Sequence, residues 1–297
     1  MNTRSDVTGT NQLDLAVIGC GNMGSAIARV ALEKQYSVAV WNRSPERAVR
    51  LVDAGATVLT EVSQAFQNAD LTIVCVSTTD DVRALLAQID PTRVAGAILN
   101  LTSGLPDEAN ELAAWAAEHG VPYLDGAILC FPEQIGSAEA RILVAGPEQL
   151  WTAHSDIVRA LAGGAFHVGT VHGAANVMDA GLVGAFYMSS MVAFIEATRY
   201  MGNAGVSTDA LRSLLPHTLD QFSEEIHDIL NRVDTGTFAT ERATLTVYQE
   251  AGQTFLDTMA PHGPATMIRA TTGVFDRAVA AGLANEDLAA IVKLSAE

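Results

Sequence analysis

"LDLAVIGCGNMGSAIARVALEKQ", residues 13–35, decides the fold of the N-terminal half. Residues 13–18 read as a short buried strand, and the stretch from Ser25 carries apolar side chains at helical spacing. Between them Gly19, Gly21 and Gly24 form a G-x-G-x-x-G. In a chain with 24 glycines that pattern arises by chance, but its place between a strand and a helix gives it a physical reason. Gly19 allows the tight turn, Gly21 lets the backbone approach a pyrophosphate, and Gly24 lets the helix pack on the strand. The helix N-terminus then turns free N–H groups toward the phosphates, with Asn22 and Met23 on the same loop.

Working outward, apolar strands are expected at 37–41, 71–76, 96–101, 123–129 and 140–146. Helical patterns lie between them at 45–55, from about Asp80, and at 106–120. Strands alternating with helices of this length predict a parallel, doubly wound sheet of the Rossmann type. Beyond about residue 170 the strand signals stop. Residues 173–201 are apolar on nearly every face, which predicts a helix covered all round. Residues 209–233 show helical periodicity with a kink expected at Pro216, and further helices are expected at 239–260, 264–281 and 285–295. The expected class is α/β: a Rossmann-type doubly wound domain over 11–168, an interdomain helix over 169–202, and an all-helical domain over 203–297.

The end of the second strand selects the cofactor. An NAD site places Asp or Glu there for the ribose 2′-hydroxyl. This chain has Asn42, Arg43 and Ser44, with Arg47 one helical turn on. No acid is present there to repel a 2′-phosphate, and Arg43 can pair with one while Asn42 and Ser44 hydrogen-bond, so NADPH is expected. Val76 and Ser77 end the next strand, and Thr102 and Ser103 lie in "NLTSGLP", 100–106. Ligands in such sheets bind where strands end, so these four are expected to border the cofactor, with Ser103 facing the nicotinamide or the substrate. A Ser/Gly/Pro turn capping the next helix explains the same loop equally well.

Composition bounds the rest. The chain has 297 residues, 49% of them hydrophobic, with a formal charge of −17. Its mean hydropathy is +0.22. The charge argues against nucleic acid or an anionic membrane as partner. The apolar excess points to an additional buried surface such as a subunit interface. Cys20, Cys75 and Cys130 are far apart in sequence with no CxxC spacing, and the first two read as small buried hydrophobes, which fits a reducing cytosol. The opening residues "MNTRSDVTGTNQ" contain no apolar segment of a secretory signal. The apolar run from Ala180 to Ile195 is shorter than the ~20 residues of a membrane span. No metal site is expected, since His172, His217, His227 and His262 lack ligand spacing. These features predict a soluble, cytoplasmic protein.

In order, "GCGNMG", "WNRS", "NLTSG", "LDGAIL" and "GAANVMDAGLVG" resemble the β-hydroxyacid dehydrogenases, and among them the imine reductases, over residues 13–295. Hydroxyacid dehydrogenases of that superfamily carry a catalytic lysine near the start of the long helix. The only lysines here are Lys34 and Lys293, and the matching position reads Met178-Asp179. The resemblance therefore makes Asp179 the catalytic residue of an imine reductase. An imine accepts hydride fastest when protonated, so a carboxylate can stabilise the iminium or a carboxylic acid can donate its proton; the sequence leaves both open. The resemblance also implies a pocket lined by Tyr187, Met178, Leu182, Ser103, Phe131 and Tyr248. Tyr187 lies eight residues past Asp179, about two α-helical turns. It further implies an intertwined homodimer in which the partner contributes around 238–248. The expected reaction is NADPH-dependent reduction of an imine, with reductive amination of a ketone plus an amine left open. The rivals are an NADP-dependent β-hydroxyacid dehydrogenase without the usual lysine and a non-catalytic NADP-binding protein.

Overall fold

A computed structural model describes residues 13–295. The opening stretch read for a secretory signal, and the two residues at each outer end of the expected domains (11–12 and 296–297), lie outside the described residues. The chain divides into two compact units, Met1–Gly184 and Ala185–Glu297.

The first unit is built on an eight-stranded sheet of order β3-β2-β1-β4-β5-β6-β7-β8. Its strands are β1 Leu13–Ile18, β2 Val38–Trp41, β3 Thr57–Val58, β4 Ala69–Val74, β5 Ala97–Asn100, β6 Tyr123–Ile128, β7 Ile142–Ala145 and β8 Phe166–Gly169. Helices α1 Asn22–Glu33, α2 Pro45–Val49, α3 Ser63–Asn68, α4 Thr79–Leu86, α5 Pro106–Glu118 and α6 Glu148–Leu161 complete it. The order reverses beside β1, which makes the crevice outside the ends of β1 and β4 the switch point where such sheets take ligands.

Both faces of the sheet are covered, because its central strands carry apolar residues on both sides. Leu15, Val17, Ile73 and Leu99 pack against α1 and α6 residues such as Ile27, Ala31 and Val158. Ala16, Ile18, Val74 and Ile98 pack on the other face with Phe66, Val82 and Leu112. Side chains as large as Ile18, Phe66 and Leu99 are essentially inaccessible to water, and each contributes roughly 1.5–3 kcal/mol of burial.

The sheet differs from the expected one at three places. β7 runs antiparallel to β6, while the other pairs are parallel. The connection from Leu129 to Arg141 holds only a single 3-10 turn, Pro132–Gln134, and no helix to carry the chain back for a parallel return. β3 has two residues, too few for a periodic signal. β8 is an edge strand containing His167 and Gly169, with Phe166 largely exposed, so it lacks the alternation by which strands are read.

A continuous helix follows from Ala174 to Asn203, 30 residues with a mean hydropathy of 1.5. It is longer than its uninterrupted apolar run, and by length and composition it is sufficient to cross a membrane. It is also not uniform. Residues Ala174–Asp179 and Ser189–Asn203 are α-helical, and Ala180–Met188 are π-helical. The covering predicted for it is not met among the described residues: none from Ala180 to Asn203 is buried.

In the second unit, a helix over Thr208–Thr235 runs unbroken through Pro216 between the Ser207 hydroxyl cap and Gly236 in the left-handed conformation. Helices Leu245–Met259 and Thr266–Ala278 follow, the second starting from the Glu196 carboxylate, which accepts the N–H groups of Thr266 and Met267. A short core joins Phe238, Leu245, Phe275, Ala278, Ala289 and Ala290. The segment 239–244 is not helical, and the last expected helix is a 3-10 helix, Leu288–Lys293.

Candidate active site

The glycine loop leaves β1 and reaches α1 in three residues. Gly19 holds a φ of +99°, and a Cβ there would meet the Cys75 carbonyl oxygen at 2.1 Å. At Gly24 a Cβ would strike the Gly19 carbonyl oxygen at 1.8 Å, so neither position accepts a side chain. Above Gly21 nothing lies within 4 Å. A side chain there would fill that opening, whereas a bare backbone leaves room for a phosphate. No side chain caps the N-terminus of α1 and its first turn holds no acid, so its N–H groups stay available to an anion.

A cavity of about 380 Å³ opens beside this loop. Its walls include Gly19, Gly21, Asn22, Met23, Gly24, Asn42, Arg43, Ser44, Arg47, Val76 and Ser77, so most of the residues expected at the cofactor are gathered there. Two refinements follow. The Asn42 side chain faces the loop: its Oδ1 accepts the Cys20 N–H at 2.8 Å and its Nδ2 donates to the Ser44 carbonyl, so it braces the cradle. Asp81, at the start of α4, also lines the cavity and pairs with the Arg43 guanidinium at 3.2 Å. The absence of an acid at the end of β2 did not foretell an acid reaching in from α4, because that neighbour is set by tertiary structure.

Thr102 and Ser103 lie outside those walls. Thr102 is buried: its hydroxyl accepts the Val76 N–H at 3.1 Å, and its own N–H donates to Asn100 Oδ1 at 3.1 Å. It ties the ends of β4 and β5 together. Ser103 is exposed in the loop before α5. Phe131 is 62% exposed at the turn after β6.

Asp179 ends the first α-helical stretch of the long helix and is half-buried. Its carboxylate has no hydrogen-bond or ion-pair partner among the described residues, and desolvation alone raises its pKa. Met178, beside it, packs with Ala127, Leu143, Ala145 and Ala175 and anchors the helix. Leu182 and Tyr187 are about half exposed on the π-helical stretch. The α-helical spacing assumed for Tyr187 therefore does not apply, since its turns close from residue i to i+5. Tyr248, in the second unit, lies with its ring 5.9 Å from that of Phe275.

One group of side chains around the end of β5 falls in or beside the quoted stretches but was given no role there: Asn100, Tyr123, Asp125 and Asn176. Asp125 is fully buried and accepts from Asn100 Nδ2 at 2.9 Å, the Tyr123 hydroxyl at 3.0 Å and Asn176 Nδ2 at 3.1 Å. Burial pushes its pKa up to about 6 against these donors and the Gly126 N–H. The signal available in sequence was an acid inside the apolar strand "YLDGAI", which must find buried partners. The three cysteines are free, and burial lifts the thiols of Cys20 and Cys75 to about 11.

Known proteins share this arrangement. Residues 14–169 match the NAD-binding domain of 6-phosphogluconate dehydrogenase, and residues 172–297 match the C-terminal domain of NADPH-dependent reductive aminase-like proteins. An NADPH-dependent reductive aminase of Aspergillus oryzae is 27% identical over 282 residues, 94% of this chain and 96% of the relative. An imine reductase structure from Pseudomonas sp. superposes with a TM-score of 0.87 at 30% identity, covering 95% of this chain and 99% of that one. A reductive aminase from Aspergillus terreus, solved with NADPH and ethyl levulinate, gives a TM-score of 0.86 at 26% identity, again covering 95% and 99%. Two domain matches in this order, and likeness along nearly the full length of both chains, leave no room for a shared cofactor fold alone. The chain belongs to the imine reductase and reductive aminase family of the β-hydroxyacid dehydrogenase superfamily.

Proposed function

We propose that the protein is an NADPH-dependent oxidoreductase that reduces C=N bonds, acting on a preformed imine or on a ketone together with an amine. The observation that carries this reading is Asp179: a half-buried carboxylate without a partner, where the related hydroxyacid dehydrogenases would need a lysine.

The glycine loop and the amides of α1 hold the pyrophosphate. Arg43 and Arg47 grip the 2′-phosphate with Ser44 beside them, Asn42 keeps the loop in shape, and Val76 and Ser77 border the reacting half, with the exposed Ser103 of the neighbouring loop facing it and the buried Thr102 holding that loop to β4. Bound NADPH supplies the hydride that adds to the imine carbon. Asp179 supplies the matching charge at nitrogen, as a carboxylate facing the iminium or as an acid giving up its proton. Met178, Leu182, Tyr187, Phe131 and Tyr248 are the proposed pocket residues. A hydroxyacid dehydrogenase would need another group to serve the alkoxide. A protein that only binds NADP would not need an unpartnered acid in a desolvated place.

The protein acts as a cytoplasmic homodimer in this reading. Its support is the long helix, where Leu182, Met188, Val192 and Ile195 are each 48–66% exposed in one chain. A second copy covers that surface better than an anionic bilayer would, given the charge of −17.

The test is loss of NADPH absorbance with a small cyclic imine such as 2-methylpyrroline, for the wild type and Asp179→Ala. Turnover that falls ~100-fold or more in the variant, with NADPH binding intact, is the expected outcome. NADP⁺ reduction by a β-hydroxyacid, with no turnover of any imine, would sink the proposal.

A further inference from the structure

Asp125 stands where a carboxylate is costly. Its side chain is fully buried, no cation pairs with it among the described residues, and its hydrogen-bond partners are all donors. Oδ1 accepts from Asn100 and Tyr123, and Oδ2 accepts from Asn176. An ionised acid is the side chain that presents acceptors on both oxygens, so the donor set fits the charged form.

These contacts extend in two directions. Through Asn100, whose Oδ1 takes the Thr102 N–H, and through Thr102, whose hydroxyl takes the Val76 N–H, Asp125 reaches the loop ends of β4 and β5. Through Asn176 it reaches the long helix three residues before Asp179, less than one turn away. The start of the helix has a second tie, Gly173 N–H to Asn110 Oδ1 at 3.0 Å. Asn176 is the polar side chain that fastens the helix to the sheet between that tie and Asp179.

We propose, resting on the imine-reducing function above, that Asp125 is a positioning residue: acting through Asn176, its carboxylate fixes the first turn of the long helix on the end of β5 and the adjoining middle of β6 and thereby sets the carboxylate of Asp179.

The titratable groups around it are few. Tyr123 shares its strand and is held protonated, its pKa raised well above the usual by burial and by Asp125 itself. His172, from the segment before the long helix, meets the Tyr123 carbonyl at 3.2 Å and is driven toward neutrality by burial. Asn100 and Asn176 do not titrate. Asp125 therefore meets no positive charge, and its own pKa rises to about 6. A carboxyl whose pKa rises on folding favours the folded state below its unfolded value, and that contribution is lost as pH climbs through about 6. At neutral pH the ionised form of this carboxyl favours the fold less than its protonated form would. That sets apart a residue retained for geometry in the reaction from one retained for stability.

Asp125→Asn keeps the shape and removes the buried charge, and Asn176→Ala cuts the link to the helix. The double variant Asp125→Asn with Asn176→Asp exchanges donor and acceptor: the new amide oxygen can still receive Asn100 and Tyr123 while its NH₂ donates to the new carboxylate. Each is measured for melting temperature at neutral pH, NADPH dissociation constant, kcat and KM with 2-methylpyrroline, and amide hydrogen exchange over residues 173–182 without cofactor. Asp125→Asn should melt at or above the wild type and bind NADPH within about twofold, yet lose kcat about tenfold and exchange faster over 173–182. The double variant should recover most of kcat. An unchanged kcat in both single variants, or a kcat lost only in step with the melting temperature, overturns the proposal. A wild type inactive on every imine refutes the assigned reaction instead, and the exchange rates then decide the positioning role alone: unchanged rates over 173–182 overturn it.

Discussion

The α/β unit and the helical unit satisfy their apolar residues in opposite ways. In the first, the central strands are almost wholly buried on both faces, and two apolar clusters close over the sheet. In the second, neither the stretch Ser189–Asn203 nor the helix Thr208–Thr235 has one buried residue. Leu214, Leu219, Phe222 and Leu230 add to the surface that Met191, Val192 and Ile195 leave exposed. The first unit encloses most of its apolar residues. The second leaves apolar side chains of its two longest helices exposed, and in the proposed homodimer a second copy covers them.

The largest effect should come from charging that surface. Ile195→Glu places an acid on a side chain that is 66% exposed in one chain, and Val52→Glu does the same in the α/β unit at 49%. Taken alone, the exposures forecast two harmless changes. If a second copy covers the long helix, Ile195→Glu buries an unpaired carboxylate in an apolar contact, and sedimentation should show half the mass of the wild type. Val52→Glu should leave mass and melting temperature as they were. Equal behaviour of the two variants would dissolve the contrast between the units.

The same contrast marks how far the sequence could be read. The α/β unit was legible because its signals are local: the alternation of apolar strands with helices, Gly19 at a turn that only positive φ can make, and Arg43 at the end of β2. Most of the residues expected at the cofactor line one cavity for that reason. What was not legible depends on neighbours far along the chain. Asp81 reaches Arg43 across 38 positions, and Asn176 reaches Asp125 across 51, with no periodicity to announce either. The antiparallel β7 was hidden because a buried strand reads the same in both directions. The π-helical stretch after Asp179 has no residue pattern to mark it, and its uniformly apolar surface removes the amphipathic stripe that would have set its phase.

If the α/β unit is self-sufficient, its phosphate site should not depend on assembly. The probes are 2′,5′-ADP and 5′-AMP, measured by calorimetry. Arg43→Ala should weaken 2′,5′-ADP about tenfold and leave 5′-AMP unchanged, because only the first needs the charge-assisted bonds. Asp81→Asn frees Arg43 from a surface pair and removes a negative charge from the cavity, so 2′,5′-ADP should bind about two- to threefold more tightly. Weaker binding in Asp81→Asn would instead mean that the pair orients Arg43. Ile195→Glu, whatever its mass, should bind both probes like the wild type. A loss there would show that the α/β unit needs the partner after all.

The smallest effect is thermodynamic and belongs to the residue at the end of the α/β unit. Asp179 carries a pKa raised by desolvation, with no partner to lower it. The sign of the linkage follows. Its folded pKa exceeds the unfolded one, so its favourable contribution is complete below the unfolded value and disappears as pH rises through the folded value. Above that window the charged form weighs slightly against the fold. Asp179→Asn should therefore melt a little higher than the wild type near neutral pH, and the difference should close as the solution is acidified below the ordinary carboxylate range. The group is partly open to water, so the shift in melting temperature will be small. Its direction still discriminates: a structural acid would lose stability on this substitution, whereas an acid kept for the charge at the substrate nitrogen gains stability as it loses turnover. A lower melting temperature near neutral pH would mean that Asp179 is held in place by contacts that favour its charge, and that it contributes to the stability of the unit it closes.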